Sequence, residues 1–184
     1  MARLRTEAVI TAIDQAQELY HRLVFLVAPA GAGKTVVLQE VSEATGAPLL
    51  NVNLELSRRM LDLTERQRAL QLPRLLSDVV SASEGDVVLL DNIELLFDVS
   101  LKQDPLRLLQ GLSRNKTVVA AWSGEIVTEV KGPSAESNLK AVSSPQLRSL
   151  HVVYAVPHHP EYRRYPVQDF LAIELQSSEQ RKTS

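Results

Sequence analysis

The chain has 184 residues, 45% of them hydrophobic, with a formal net charge of −2 and no cysteine. That is enough chain for one well-buried domain and a squeeze for two, so a single domain over residues 1–175 and a flexible tail over 176–184 are expected. The charge argues against bulk electrostatic binding to nucleic acid while leaving a local basic face open. The missing thiols exclude a disulfide framework, in keeping with a cytoplasmic protein, and no apolar run nears the roughly 20 residues that span a bilayer, so no membrane partner is expected.

In chain order, Leu4, Ala8, Ile10, Ala12, Ile13, Ala16, Leu19 and Tyr20 recur at near-helical spacing among charged and amide residues. They predict an amphipathic helix that covers the sheet ahead of the first strand, with contact to a bound adenine as the alternative role.

Residues 23–41 form the centre of the reading. An apolar run (23–27) meets a small-residue loop and then an amphipathic segment, which is strand, turn and helix. Ala28, Pro29, Ala30, Gly31, Ala32, Gly33, Lys34 and Thr35 occupy the eight positions of the pattern G-x-x-x-x-G-K-[ST], with Ala28 in place of the first Gly, and Val36 follows. In such a P-loop the glycines allow dihedrals and a closeness of approach that a Cβ forbids. The helix adds its positive dipole end, Lys34 reaches the β- and γ-phosphates and the Thr35 hydroxyl holds magnesium. The segment Ala28 to Val36 is therefore the expected cradle for ATP with Mg2+.

Thr45, Gly46, Ala47 and Pro48 stop that helix, and residues 49–54 read as a second strand. A helical region follows, its final segment over 73–82 opened by Pro73. Between them Arg58, Arg59, Arg66, Arg68 and Arg74 interleave with leucines: a solvated helix surface, or a subunit or nucleic-acid contact. Residues 87–90, Val-Val-Leu-Leu, end in Asp91, as a strand buried on both faces should when an acid closes it at the nucleotide crevice. Asp91 is the expected magnesium partner of Thr35, through water. Many ATPases of the additional-strand class place a Glu next. Here Asn92 stands there, which can position a water and cannot take its proton, and Glu94 can serve as base only if the backbone turns it inward.

Residues 104–112 read as a short helix and 117–122 as another buried strand, with Ser123 placed as a polar sensor of the γ-phosphate. Residues 124–149 lose the apolar pattern and read as a surface insertion, with a hairpin around Lys131, Gly132 and Pro133 and then a short helix. Residues 150–156 read as the fifth strand. A polar connecting loop through His158 to Pro166 comes next, with a last strand over 170–175. Because arginine fingers of AAA+ ATPases lie just before the fifth strand, Arg148 is the expected finger, donated in trans, with Arg163, Arg164 and Arg114 as alternatives.

The P-loop, NVNLELSRR (51–59), VVLLDNIELLFD (87–98), QDPLRLLQGLSRN (103–115), VVAAW (118–122) and HPEYRRYP (159–166) together resemble the BrxF family, small P-loop proteins of type 3 BREX phage-defence systems. The resemblance implies an ATP-binding, ATP-hydrolysing accessory component of a bacterial defence assembly that holds a DNA methyltransferase and other subunits. Self-association, other BREX subunits and DNA are the expected partners. The fold expected is α/β: a three-layer P-loop NTPase resembling the AAA+ base, with about five parallel strands and no helical lid domain. A nucleotide-binding module without hydrolysis and a P-loop kinase are the competing readings.

Overall fold

The computed structural model describes residues 2–130 and 148–175. The expected turn at Lys131, Gly132 and Pro133, the short helix after it and the tail over 176–184 lie outside them. Among the described residues seven strands and five α-helices follow one another: α1 (Ala2–Ala16), β1 (Leu23–Ala28), α2 (Lys34–Thr45), β2 (Leu49–Asn51), α3 (Val52–Met60), α4 (Glu65–Ser81), β3 (Val87–Asp91), α5 (Pro105–Leu112), β4 (Thr117–Val130), β5 (Arg148–Tyr154), β6 (Arg163–Pro166) and β7 (Leu171–Glu174). Two 3-10 turns, Glu94–Phe97 and Val99–Leu101, join β3 to α5.

β2, β3, β4, β1 and β7 form, in that order, a sheet in which every pairing is parallel. All six residues of β1 are buried, and fully burying a Val, Leu or Phe side chain is worth roughly 1.5 to 3 kcal/mol, so the most apolar strand takes the protected inner place. Successive side chains go to opposite faces. Leu23, Phe25, Val27, Val88, Leu90, Val118, Ala120 and Trp122 join the core under α3, α4 and α5. Val24, Leu26, Ala28, Leu89, Val119 and Ala121 join a second core with α1 and α2. Helices thus cover both faces of the sheet. The connection after β1 leaves toward one face, and those after β2 and β3 leave toward the other. That divergence opens a crevice at the carboxyl ends of the strands.

The fifth parallel strand is Leu171–Glu174, beside β1, and not residues 150–156. Those belong to β5, which pairs antiparallel with the distal half of β4, from Gly124↔Tyr154 to Val130↔Arg148. β4 therefore runs on past the expected end at Trp122. Arg163–Pro166, expected as a loop, adds a third antiparallel strand on β5. This hairpin continues beyond the carboxyl edge of the parallel sheet.

Two further expectations change. Only residues 49–51 are strand; Asn51 caps α3, its side chain accepting from Leu54 N–H at 3.0 Å. Helix α4 is continuous from Glu65, started by a capping box of Thr64 and Gln67, and carries Pro73 in its interior. Proline removes the donor that Ala69 O needs. Gln103 Nε2 replaces it at 2.7 Å and also donates to Leu101 O at 2.8 Å. Of the arginines nearby, Arg59 pairs with Glu55, Arg74 with Asp78, and Arg68 donates to Met60 O. Among the described residues no helix is long and apolar enough to cross a membrane.

Candidate functional site

The loop over residues 29–33 turns the chain from β1 into α2. Ala32 N–H donates to Pro29 O at 3.2 Å, and the reversal needs positive φ at Gly31 (76°) and Gly33 (92°), a region costly to any residue with a Cβ. An added Cβ would meet nothing within 4 Å at either position. Of the two reasons expected for these glycines, the structure therefore carries the dihedral one. Gly33 is the N-cap of α2 and offers no side-chain cap, so the first amides of the helix face the crevice.

Lys34 opens α2 and is only 8% exposed. Its Nζ donates to Ala28 O and Pro29 O, each at 2.9 Å, folding the side chain back over its own loop. Burial pushes its ammonium below the usual lysine value, while the carboxylates of Glu94 and then Asp91 pull it back up. Thr35 Oγ1 donates to Asp91 Oδ2 at 2.7 Å. Asp91 is 6% exposed, and its Oδ1 accepts the Asn92 N–H at 2.9 Å. Pro29, Ala30 and Gly31 line the exposed rim of the loop, Ala32 and Gly33 are half-buried, and Val36 is exposed one turn into the helix.

Asn92 stands at φ 51°, a left-handed conformation that Asn adopts more readily than most residues. Its side-chain amide makes no hydrogen bond among the described residues, so its visible work is in the backbone. Asn53 clamps the reversal from both sides: its N–H donates to Asn92 O at 3.0 Å, and its Oδ1 accepts the Leu95 N–H at 2.9 Å. The result turns Glu94 inward. Glu94 Oε1 accepts the Ser123 hydroxyl at 2.9 Å, and Ser123 pairs with Ala28 where the parallel part of β4 ends.

Lys34, Thr35, Asp91, Glu94 and Ser123 are thus brought to one crevice, with Asn92 as the turn that makes this possible. Arg148 is not. It is exposed, opposite Val130 at the far end of the hairpin, roughly 20 Å beyond Ser123 at about 3.3 Å per residue. The positional reason for choosing it lapses too, because the strand that follows it is not the fifth of the parallel sheet. Arg163 donates to Tyr162 O, Arg164 pairs with Glu129 at 3.3 Å, and Arg114 lies over the Tyr20 ring. Asn53 and Tyr154, the latter described below, are the residues that sequence reasoning passes over.

Chemically the crevice offers a buried ammonium, a hydroxyl–carboxylate pair and a second carboxylate held by a hydroxyl, at the amino end of a helix. Thr35 Oγ1 and Asp91 Oδ2 are hard oxygens already converging, which suits a magnesium ion that keeps most of its waters and takes one or two protein ligands. Two cavities lie elsewhere: about 260 Å³ between α4 and α5, and about 370 Å³ between the hairpin and residues 155–164. Neither is lined by any of the five residues. No protein-family model matches the chain, and no curated protein or solved structure does either.

Proposed function

We propose that the chain is a P-loop nucleoside triphosphatase that binds ATP with magnesium on an AAA+-like base. Within that class, on the strings quoted above, we assign it to the BrxF-like accessory proteins of type 3 BREX defence, working in the cytoplasm with copies of itself, other BREX subunits and DNA. The observation that carries the class is the 2.7 Å hydrogen bond from Thr35 to Asp91. It joins the residue after Lys34 to the end of the buried strand β3, across β4 from β1, so that two motifs distant in sequence close on one point.

Each residue then has a distinct task. Lys34 exchanges its two loop carbonyls for β- and γ-phosphate oxygens, acceptors whose charge strengthens the bond. The amides over residues 31–35 cradle the phosphates at the helix end. Thr35 and, through water, Asp91 would hold magnesium, which when bound would neutralise charge on the phosphates. Glu94, kept in place by Ser123, accepts a proton from the water that attacks the γ-phosphorus as the bond to the β–γ bridging oxygen breaks, leaving ADP and phosphate. Arg148, exposed on the projecting hairpin and remote from its own crevice, would act only in trans, as a donor of transition-state charge to a neighbouring copy.

Asn92, directly after Asp91, favours a second reading in which nucleotide is bound without turnover. Phosphate release, measured with and without double-stranded DNA and across protein concentration, separates the two. Release that depends on Glu94 and rises with concentration or DNA is expected. Tight ATP binding with no release under any of these conditions supports the binding module instead.

A further inference from the structure

The hairpin leaves the parallel sheet at one joint, where several contacts meet. Trp122 Nε1, in a fully buried indole, donates to Val153 O at 3.1 Å. Beside it, β5 lies so near β4 that a Cβ on Gly124 would stand 1.8 Å from Val153 O. Tyr154 pairs with Gly124 across the ladder, and its buried ring stacks on Phe97 with centroids 3.6 Å apart and planes 15° from parallel. Phe97 closes the 3-10 turn that Glu94 opens. Ser123, one residue before Gly124, donates to the Glu94 carboxylate. The joint therefore grips the Glu94 turn at both ends, through Ser123 at its start and Tyr154 at its finish.

We propose that Tyr154 is a positioning residue for Glu94: its ring, stacked on Phe97, fixes the 3-10 turn against the base of the hairpin and keeps the carboxylate at Ser123, so that displacement of the hairpin is felt at Glu94. A four-residue 3-10 turn has poor internal hydrogen bonds and does not hold itself. Asn53 secures its backbone near Leu95, and at its far end Phe97 is held by the Tyr154 stack together with the edge of Trp122. The Tyr154 hydroxyl makes no hydrogen bond among the described residues, so the ring and not the hydroxyl carries the role. Burial, then the charges of Glu161 and Glu94, push the phenol up to about 12, in keeping with a ring that ends in the field of the same carboxylate.

The proposal rests on Glu94 as the base only for its effect on turnover, and its test has an arm that needs no nucleotide. In the full chain, Tyr154→Met keeps side-chain volume and loses the ring face, Phe97→Leu removes the stack from the other side, and Tyr154→Phe retains it. Amide hydrogen exchange over residues 94–97, without nucleotide, should quicken about tenfold in the first two variants, the equivalent of one aromatic pair, and stay at the wild-type rate in Tyr154→Phe. With Mg-ATP, calorimetric affinity should be preserved while phosphate release at saturation falls by a similar factor, again rescued in Tyr154→Phe. Trp122, the one tryptophan of the chain, lies edge-on to Phe97 at 5.1 Å and reports the joint by fluorescence. Wild-type exchange over 94–97 in both stack-removing variants overturns the proposal. So does a parallel loss of affinity, turnover and melting temperature, which is what general loosening produces. Quickened exchange in a protein that binds no ATP supports the positioning role and refutes the nucleotide reading.

Discussion

Thr35 and Asp91 are 56 residues apart in the chain and meet at 2.7 Å, hydroxyl to carboxylate. The contact is a product of strand order. β1 and β3 flank β4 in a parallel sheet, so the loop after β1 and the end of β3 emerge at the same edge. A threonine at the second position of α2 then has an acid within reach. The arrangement is also asymmetric: Asp91 gives its other oxygen to the turn that carries Glu94, so one side chain links the helix end to the second carboxylate.

Asp91→Asn should remove magnesium dependence while leaving the fold. Asn still offers an oxygen to Thr35 but brings no charge to a divalent ion, so the loss in the free protein should be about 1 kcal/mol. The extra thermal stabilisation that magnesium adds to ATP should vanish. Calorimetry with and without the metal checks this, and an undiminished magnesium effect places the ion elsewhere.

Gly124→Ala should be among the most damaging small substitutions in the chain. The new methyl would stand 1.8 Å from a backbone oxygen, that of Val153, which moves only if the strand moves. A cost of about 3 kcal/mol, at the upper end of overpacking, is expected in chemical denaturation. Gly31→Ala, with open space around the Cβ, should instead cost mainly through its backbone angle and be felt in nucleotide binding.

Gln103→Ala should destabilise by about 1 kcal/mol because Ala69 O loses its donor. Pro73→Ala restores the N–H that α4 lacks at that position, so in its background Gln103→Ala should cost less. A double-mutant cycle in urea measures this coupling, and strict additivity would show that the two residues act independently.

Alkaline pH should unfold the protein partly through two phenols, the buried Tyr154 and the half-buried Tyr165. Tyr154 is pushed from 10.0 up to about 12; Tyr165 is raised as well, by burial first and then by the charge of Asp104, which its hydroxyl meets at 3.0 Å. A group whose value is raised on folding binds more protons in the native state. Its stabilisation is complete below pH 10 and is lost as pH climbs through the folded value. Stability should therefore fall from about pH 10 toward 12, and Tyr154→Phe should flatten that fall. An identical slope in the variant would put Tyr154 in water.

How far these features can be read from sequence depends on whether one pattern or two fit the same residues. β1, α2 and β3 are legible because uninterrupted Val and Leu runs are bounded by Gly31, Gly33 and Asp91, and α5 because Asp104 and Pro105 begin it. Residues 51–56 alternate polar and apolar as a strand does, yet Val52, Leu56 and Met60, all buried, also satisfy helical spacing, and Asn51 as a cap decides for the helix. Pro73 reads as a helix start because nothing near it in sequence shows that Gln103 will supply the missing donor. Residues 150–156 and 171–174 are both short apolar runs, and only long-range pairing decides that Val24 to Val27 take β7 as neighbour. Glu94 is legible as a candidate and its inward turn is not, since that depends on Asn53 and on the left-handed Asn92.

The central claim is that Lys34 sits in a phosphate-binding loop, and thermal unfolding of wild type and Lys34→Ala with Mg-ATP tests it most directly. At about 100 times its dissociation constant a ligand adds roughly 2.7 kcal/mol, several degrees in melting temperature for a domain of this size. The wild type should gain that stabilisation and Lys34→Ala, folded but lacking the ammonium, should gain none. Equal shifts in the two proteins, or no shift in either, would contradict the assignment.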